Sequence, residues 1–90
     1  METRRYTVTG RVQGVGFRFS ARHAARNLGV NGWVRNNPDG SVTVVARAER
    51  HSLDAFESFL HRGPYGARVD SLEVEIMDNT DVEEEFHVRH

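Results

Sequence analysis

Residues 6–29, YTVTGRVQGVGFRFSARHAARNLG, change from an alternating pattern to a helical one, and this change decides the fold. From Tyr6 to Gln13 apolar or small residues take every second position, which predicts a half-buried strand. After Gly14-Val15-Gly16, apolar residues recur at helical spacing from Phe17 to Leu28, and Gly29 supplies a stop. The stretch therefore predicts a strand, a tight loop and a helix.

The next part of the chain predicts a β-hairpin. The segment from about Gly32 to Asn36 is typical of a strand and meets the turn-forming run Asn37-Pro38-Asp39-Gly40. From Ser41 to Arg47 apolar residues again alternate with polar ones, as in a strand with one covered face. The short turn between the two segments predicts that they pair antiparallel.

A second helix follows the hairpin. Ser52 is its expected N-cap, and Gly63-Pro64 is expected to end it. Its apolar residues recur on one side and are expected to point inward: Leu53, Phe56, Phe59 and Leu60.

Two strands complete the predicted elements. The first runs roughly from Val69 to Met77, and alternation places its apolar residues on the covered face: Leu72, Val74 and Ile76. The second is short, around Phe86 to Arg89, and follows the acidic run from Asp81 to Glu85, which we interpret as a solvated charge run.

The order of these elements is β-α-β-β-α-β with a short fifth strand. Two helices of this length can cover only one face of such a sheet, which explains why the strands alternate. We predict a ferredoxin-like α+β sandwich, with a mainly antiparallel four- to five-stranded sheet and two helices on one face. Ninety residues suit a single domain over residues 1–90.

Composition excludes several classes of protein. The chain has no cysteine, which excludes disulfides, thiolate metal sites and a catalytic thiol. A formal net charge of −1 gives no general basic field, so we expect no nucleic-acid partner. No secretory or membrane-spanning apolar run is present, so we expect a cytoplasmic protein that does not bind membranes. The sequence has no obvious apolar surface stripe, so we expect a monomer.

Topology predicts where a functional site would lie. In a split β-α-β unit the first two strands run parallel, so their carboxyl ends meet at one edge of the sheet. The first strand leads to Arg18 on the opening turn of the helix, and the second ends at Asn36. Gly14 and Gly16 let the loop wrap an anion, whose charge the helix N-terminus and the Arg18 guanidinium would stabilise.

Each of these residues also has an ordinary structural explanation. Two glycines after a strand can form just a tight turn, and Arg18 can be a solvated surface residue. Asn36 can cap the Pro-Asp-Gly turn through its own side chain. The five histidines show no metal-ligand spacing, so we assign no metal: His23, His51, His61, His87 and His90.

Two long motifs give the sequence a family resemblance. Residues 10–18, GRVQGVGFR, and residues 32–42, GWVRNNPDGSV, resemble the two signatures of the acylphosphatase family. The resemblance covers nearly the whole chain, including residues 63–69, GPYGARV, and the closing residues 86–89, FHVR. It implies the ferredoxin-like fold and the hydrolysis of acyl phosphates to a carboxylate and inorganic phosphate.

The resemblance also implies roles for single residues. The family's catalytic arginine falls on Arg18 and its catalytic asparagine on Asn36. The phosphate loop would bind through the amides of Val15, Gly16, Phe17 and Arg18, with Gln13 and Gly14 shaping the approach. The implied partners are a small-molecule acyl phosphate and phosphate or similar anions, and no cofactor is implied.

Three positions depart from the usual family pattern. Asn37 stands where many members have threonine or a larger apolar residue, Tyr65 replaces a common proline, and His90 stands in place of a tyrosine. None of the three is a predicted catalytic residue. We expect the change at His90 to affect stability or substrate affinity before it affects the type of reaction.

Two other functions fit the same fold. One is a non-catalytic regulatory module that binds phosphate or another anion. The other is a single-stranded RNA binder, which would need aromatic residues on the open sheet face. The strand residues that we expect to be exposed there do not supply them: Thr7, Thr9, Arg11, Thr43, Val45 and Arg47.

Overall fold

The computed structural model of the chain describes residues 1–78 and 82–90. Five strands and two helices follow one another in the predicted order. Their bounds are β1 (Glu2–Arg11), α1 (Phe17–Leu28), β2 (Asn31–Asn36), β3 (Val42–Ala48), α2 (Arg50–Arg62), β4 (Arg68–Met77) and β5 (Phe86–Arg89). Within the described residues, no helix is long and apolar enough to cross a bilayer.

The five strands form one sheet in the order β4-β1-β3-β2-β5. β3 pairs antiparallel with both β1 and β2, so β1 and β2 are parallel to each other with β3 between them. β4 pairs antiparallel with β1, whereas β5 pairs parallel with β2. The predicted mainly antiparallel ferredoxin-like sandwich is therefore confirmed, and the carboxyl ends of β1 and β2 lie at the same edge.

The core fills the space between the helices and one face of the sheet. Phe56 of α2 lies at its centre, with its ring edge-on to Phe86 at 5.6 Å and to Tyr6 at 6.4 Å between centroids. All three rings are fully buried, as is Phe17 at the start of α1. Because these rings come from both helices and from the first and last strands, the packing holds α1 in a fixed position over the sheet.

The predicted start of the second helix was wrong. α2 begins at Arg50 after Glu49, whose carbonyl accepts a hydrogen bond from the Leu53 amide at 3.0 Å. Ser52 lies within the first turn, so it is not the N-cap. Leu53, Phe56 and Leu60 are buried as predicted.

The first strand is shifted from its predicted bounds. β1 starts at Glu2 because residues 2–5 pair with β3 on one side, and from Thr3 onward also with β4 on the other. It ends at Arg11, and Val12 and Gln13 already belong to the loop before α1.

Burial on the two faces of the sheet differs from expectation at several positions. Thr43 and Val45 of the central strand β3 are buried, Val45 being only 4% exposed, because the long side chains of neighbouring strands flank them. On the helix face, Val74 and Ile76 of the edge strand β4 are 43% and 60% exposed, whereas Val69 and Leu72, earlier on the same strand, pack against the core.

Part of the predicted solvated acidic run makes specific contacts. Glu83 forms an ion pair with Arg89 at 3.3 Å, and the Glu85 carbonyl accepts a hydrogen bond from the Gly32 amide at 3.2 Å. These contacts attach the segment before β5 to the sheet. Asp81, the first residue of the run, lies outside the described residues.

Candidate active site

The loop between β1 and α1 leaves backbone amides without partners at one end of a helix. Gly14 and Gly16 have φ angles of 73° and 77°, which glycine adopts without strain. The first hydrogen bond of α1 runs from the Ser20 amide to the Gly16 carbonyl at 3.0 Å, and no side chain caps this end of the helix. The amides of residues 17–19 therefore have no acceptor within the helix and can bind an anion there.

A cavity of about 100 Å³ lies at this helix end and reaches β2. We call it the loop pocket. Arg18 lines it from α1, and Asn36 lines it from the carboxyl end of β2, as the topology predicts. The full lining consists of Val12, Gln13, Gly14, Gly16, Phe17, Arg18, Phe19 and Asn36. Val15, although predicted as part of the loop site, is absent from the lining and its side chain packs against the core.

The Asn36 side chain carries an unsatisfied acceptor. Its Oδ1 atom is buried and has no hydrogen-bond partner among residues 1–78 and 82–90. Leaving a buried acceptor unpaired costs about 1–3 kcal/mol, so such an atom needs an explanation. Because the residue lines the loop pocket, the atom is suited to accept a hydrogen bond from a molecule bound there.

Arg18 adds a positive charge to the loop pocket. Its Nη1 atom lies 3.2 Å from Nδ1 of His90, at hydrogen-bond distance. Among the described residues Arg18 forms no ion pair with a carboxylate, so its charge is not neutralised by the protein there. A planar guanidinium in this setting can bind two oxygens of a phosphate at once.

Gln13 connects the loop to the hairpin, a role that the sequence did not predict. Its side-chain Nε2 donates hydrogen bonds to the carbonyls of Asn37 at 2.8 Å and Ser41 at 2.9 Å. These two carbonyls lie just beyond the end of β2 and just before β3. Gln13 therefore fixes the distance between the loop and the strand end that carries Asn36.

The hairpin turn has its own hydrogen-bond network. Asn37 Nδ2 donates to the hydroxyls of Thr43 at 2.7 Å and Ser41 at 3.0 Å. The Asp39 carboxylate accepts from the Ser41 hydroxyl at 2.6 Å and from the Ser41 amide at 2.9 Å. These hydrogen bonds, the one from the hydroxyl first, lower the pKa of Asp39.

The fold and the site together define an α+β domain with a small cavity at a helix N-terminus, lined by one arginine and one asparagine. Among residues 1–78 and 82–90, no three side chains of histidine, cysteine, aspartate or glutamate lie close enough together to hold a metal ion. The polar side chains that line the loop pocket are those of Gln13, Arg18 and Asn36.

Comparison with known proteins gives the family. The acylphosphatase family model matches residues 4–88. A curated acylphosphatase of Koribacter versatilis is 57% identical over 74 residues, 82% of this chain and 67% of that protein. One of Salinibacter ruber is 48% identical over 82 residues, 91% of this chain and 86% of that protein. Superposition on the crystal structure of acylphosphatase from Bacillus subtilis gives a TM-score of 0.96 at 30% sequence identity, and the alignment covers 100% of both chains.

The chain belongs to the acylphosphatase family. The resemblance predicted from the two sequence motifs is thereby confirmed.

Proposed function

We propose that this chain hydrolyses the carboxyl–phosphate bond of acyl phosphates, with Arg18 holding the phosphoryl group and Asn36 orienting the attacking water. Membership of the acylphosphatase family gives the activity: the chain is a hydrolase of acyl phosphates. The observation that carries the residue assignment is the buried, unpartnered Oδ1 of Asn36 in the same small cavity as the Arg18 guanidinium.

The phosphoryl group binds at the N-terminus of α1. The amides of the first helical turn and of the glycine loop donate to its oxygens, and the helix dipole favours its negative charge. Arg18 donates from its planar fork to two of these oxygens. Catalysis then depends on stabilising the charge that spreads over the equatorial oxygens in the transition state.

The attacking water binds to Asn36. Oδ1 accepts one hydrogen bond from the water and directs the water's lone pair at phosphorus, which satisfies the buried acceptor. The new P–O bond forms as the bond from phosphorus to the acyl oxygen breaks, and the carboxylate leaves with the bonding electrons. The proton of the water passes to a phosphate oxygen.

This reaction needs no strong acid from the protein. A carboxylate is a good leaving group, so positioning and charge stabilisation can supply the rate enhancement. Among residues 1–78 and 82–90, those that line the loop pocket include no histidine, aspartate or glutamate, which supports direct attack by water without a general base from a side chain.

The decisive experiment replaces Asn36 by alanine and measures phosphate release from acetyl phosphate in the presence of a chelator. We expect kcat to fall roughly 10²- to 10³-fold, the cost of losing one preorganised polar group, with KM little altered. Asn31→Ala is the matched control, since Asn31 lies on the same strand and its Oδ1 accepts from the Glu85 amide, away from the loop pocket.

The outcomes separate the proposed roles from the alternatives. Intact kcat with a large rise in KM would exclude the water-orienting role of Asn36. Phosphate binding by the wild-type chain without any turnover would favour the non-catalytic anion-binding module.

The remaining sequence predictions belong to the same proposal. We propose that the chain acts as a single-domain, cytoplasmic monomer over residues 1–90, without a cofactor or a nucleic-acid or membrane partner. Size-exclusion chromatography with light scattering tests the monomeric state, and a dimer mass would contradict it.

A further inference from the structure

A second and larger cavity lies beside the loop pocket and shares Phe19 with it. It has a volume of about 480 Å³ and opens between α1, the α2 residue Phe59 and Pro64. We call it the α1 groove, and its lining consists of Phe19, Ser20, His23, Ala24, Asn27, Phe59 and Pro64. Four of these seven residues are apolar, so the surface suits an apolar ligand group with some polar atoms at its rim.

Phe19 joins the two cavities. It lines the loop pocket together with Arg18 and Asn36, and it also lines the α1 groove. Its side chain is 52% exposed, whereas the other aromatic residue at the start of α1, Phe17, is buried in the core. The Arg22 guanidinium lies 5.2 Å from the Phe19 ring centroid and packs over the ring. A ligand in the loop pocket therefore borders an exposed aromatic ring that continues into the groove.

The size of the loop pocket leaves part of the substrate outside it. Its volume of about 100 Å³ is well below the roughly 300–1,000 Å³ of cavities that bind drug-sized ligands. The α1 groove, at about 480 Å³, lies within that range. An acyl phosphate whose phosphoryl group fills the loop pocket must place its acyl group against a neighbouring surface.

We infer that the α1 groove binds the acyl group of the substrate and that Phe19 determines a preference for apolar and aromatic acyl phosphates over acetyl phosphate. This inference rests on the proposed function, because it assumes that the phosphoryl group occupies the loop pocket. In-line displacement places the leaving group opposite the attacking water. Asn36 approaches the pocket from β2 and Phe19 from α1, so the arrangement is consistent with an acyl group on the side of Phe19.

The test measures kcat/KM for benzoyl phosphate and for acetyl phosphate in three proteins: wild type, Phe19→Ala and Phe19→Leu. Comparing the ratio of the two values between proteins cancels the different intrinsic reactivity of the substrates. We expect Phe19→Ala to lower the benzoyl-to-acetyl ratio about tenfold, the scale of lost apolar contact in a specificity pocket. Phe19→Leu keeps an apolar side chain and retains most of the ratio. The matched control is Ile76→Ala, which removes an exposed apolar side chain from the edge strand β4.

Three results would overturn the inference. Unchanged kcat/KM values for both substrates in Phe19→Ala mean that the acyl group does not contact the ring. An equal loss for both substrates means that Phe19 acts on the phosphoryl group instead. Both of these leave the proposed hydrolysis intact, whereas a wild-type protein that hydrolyses neither substrate overturns the proposed function together with the inference.

Discussion

At the scale of single residues, Arg18 contributes geometry as well as charge. A lysine at this position keeps the positive charge but loses the planar pair of donors that fits two phosphate oxygens. We predict that Arg18→Lys lowers kcat/KM for acetyl phosphate by about 10²-fold or more, with kcat lowered and KM raised. Steady-state kinetics checks this, with Arg5→Lys as control because Arg5 is exposed on the open face of the sheet. Near-normal kinetics in Arg18→Lys would rule out a bidentate role.

Asp39 makes the stability of the hairpin turn depend on pH. Hydrogen bonds from Ser41 lower the pKa of Asp39 in the folded protein. A lowered pKa stabilises the folded state at pH values above the unfolded pKa of about 3.9, and this contribution is lost as the pH falls through the folded value. We predict that wild type has a higher Tm than Asp39→Asn at pH 7 and that the difference shrinks below about pH 4. A difference that is constant from pH 7 to pH 2 would contradict the prediction.

The sequence allowed only part of the site to be predicted at this scale. The meeting of Arg18 and Asn36 at one cavity was predictable because β1 and β2 run parallel: Asn36 ends β2, and Arg18 lies in the first turn of the helix that follows β1. The contacts of Gln13 were not, because its acceptors are main-chain carbonyls 24 and 28 residues away and carry no signal in side-chain identity. The position of Phe19 in the lining of both cavities was not predicted, because an exposed phenylalanine in a helix has no pattern that separates a cavity residue from ordinary surface.

At the scale of elements, β2 and β3 approach each other so closely at Gly32 that no side chain fits. A Cβ atom at Gly32 would lie 1.8 Å from the Val45 carbonyl oxygen, and its φ of 140° also disfavours other residues. We predict that Gly32→Ala lowers the free energy of unfolding by about 3 kcal/mol or more. Gly40→Ala, with a φ of 95° but no neighbour within 4 Å, is expected to cost only about 1–2 kcal/mol. Urea denaturation compares the two, and equal costs would show that the close approach does not matter.

The type of each element could be predicted from hydrophobic periodicity, but the residue at which α2 begins and the exposure of the edge strand β4 could not. Ser52 is a good N-cap by type, yet α2 begins earlier, at Arg50. The alternation in β4 correctly places Val74 on the helix face, since it pairs with the buried Tyr6. Its exposure follows from the position of β4 at the sheet edge, which depends on the order of strands in space and not on the sequence of β4 itself.

At the scale of the whole molecule, binding of the product should stabilise the fold. A ligand that binds only the folded state at 100 times its Kd adds about 2.7 kcal/mol, which raises the Tm of a domain of this size by about 10 °C or more. We predict that inorganic phosphate raises the Tm of wild type in the presence of a chelator. Differential scanning fluorimetry at constant ionic strength, adjusted with chloride, measures the effect.

The control for this prediction is Arg18→Ala. This variant lacks the guanidinium in the loop pocket and is expected to show little of the phosphate effect. An equal rise in Tm for both proteins would show that phosphate acts on the surface in general and not at the loop pocket.

The architecture of the molecule was predictable because the loop, the hairpin and the helices carry consistent local signals. The change of period at Gly14-Val15-Gly16 and the Asn-Pro-Asp-Gly turn separate the elements clearly, and two short helices leave one face of the sheet open. The sequence of β5 carries no such signal for its parallel pairing with β2, because a four-residue strand has too few positions to indicate a partner.

The hydrogen bonds donated by Gln13 determine which substitutions the hairpin tolerates. Both acceptors are main-chain carbonyls, at positions 37 and 41, and every amino acid supplies such a carbonyl. Substitutions at these two positions can therefore occur without removing the hydrogen bonds that join the loop before α1 to the strand that ends in Asn36.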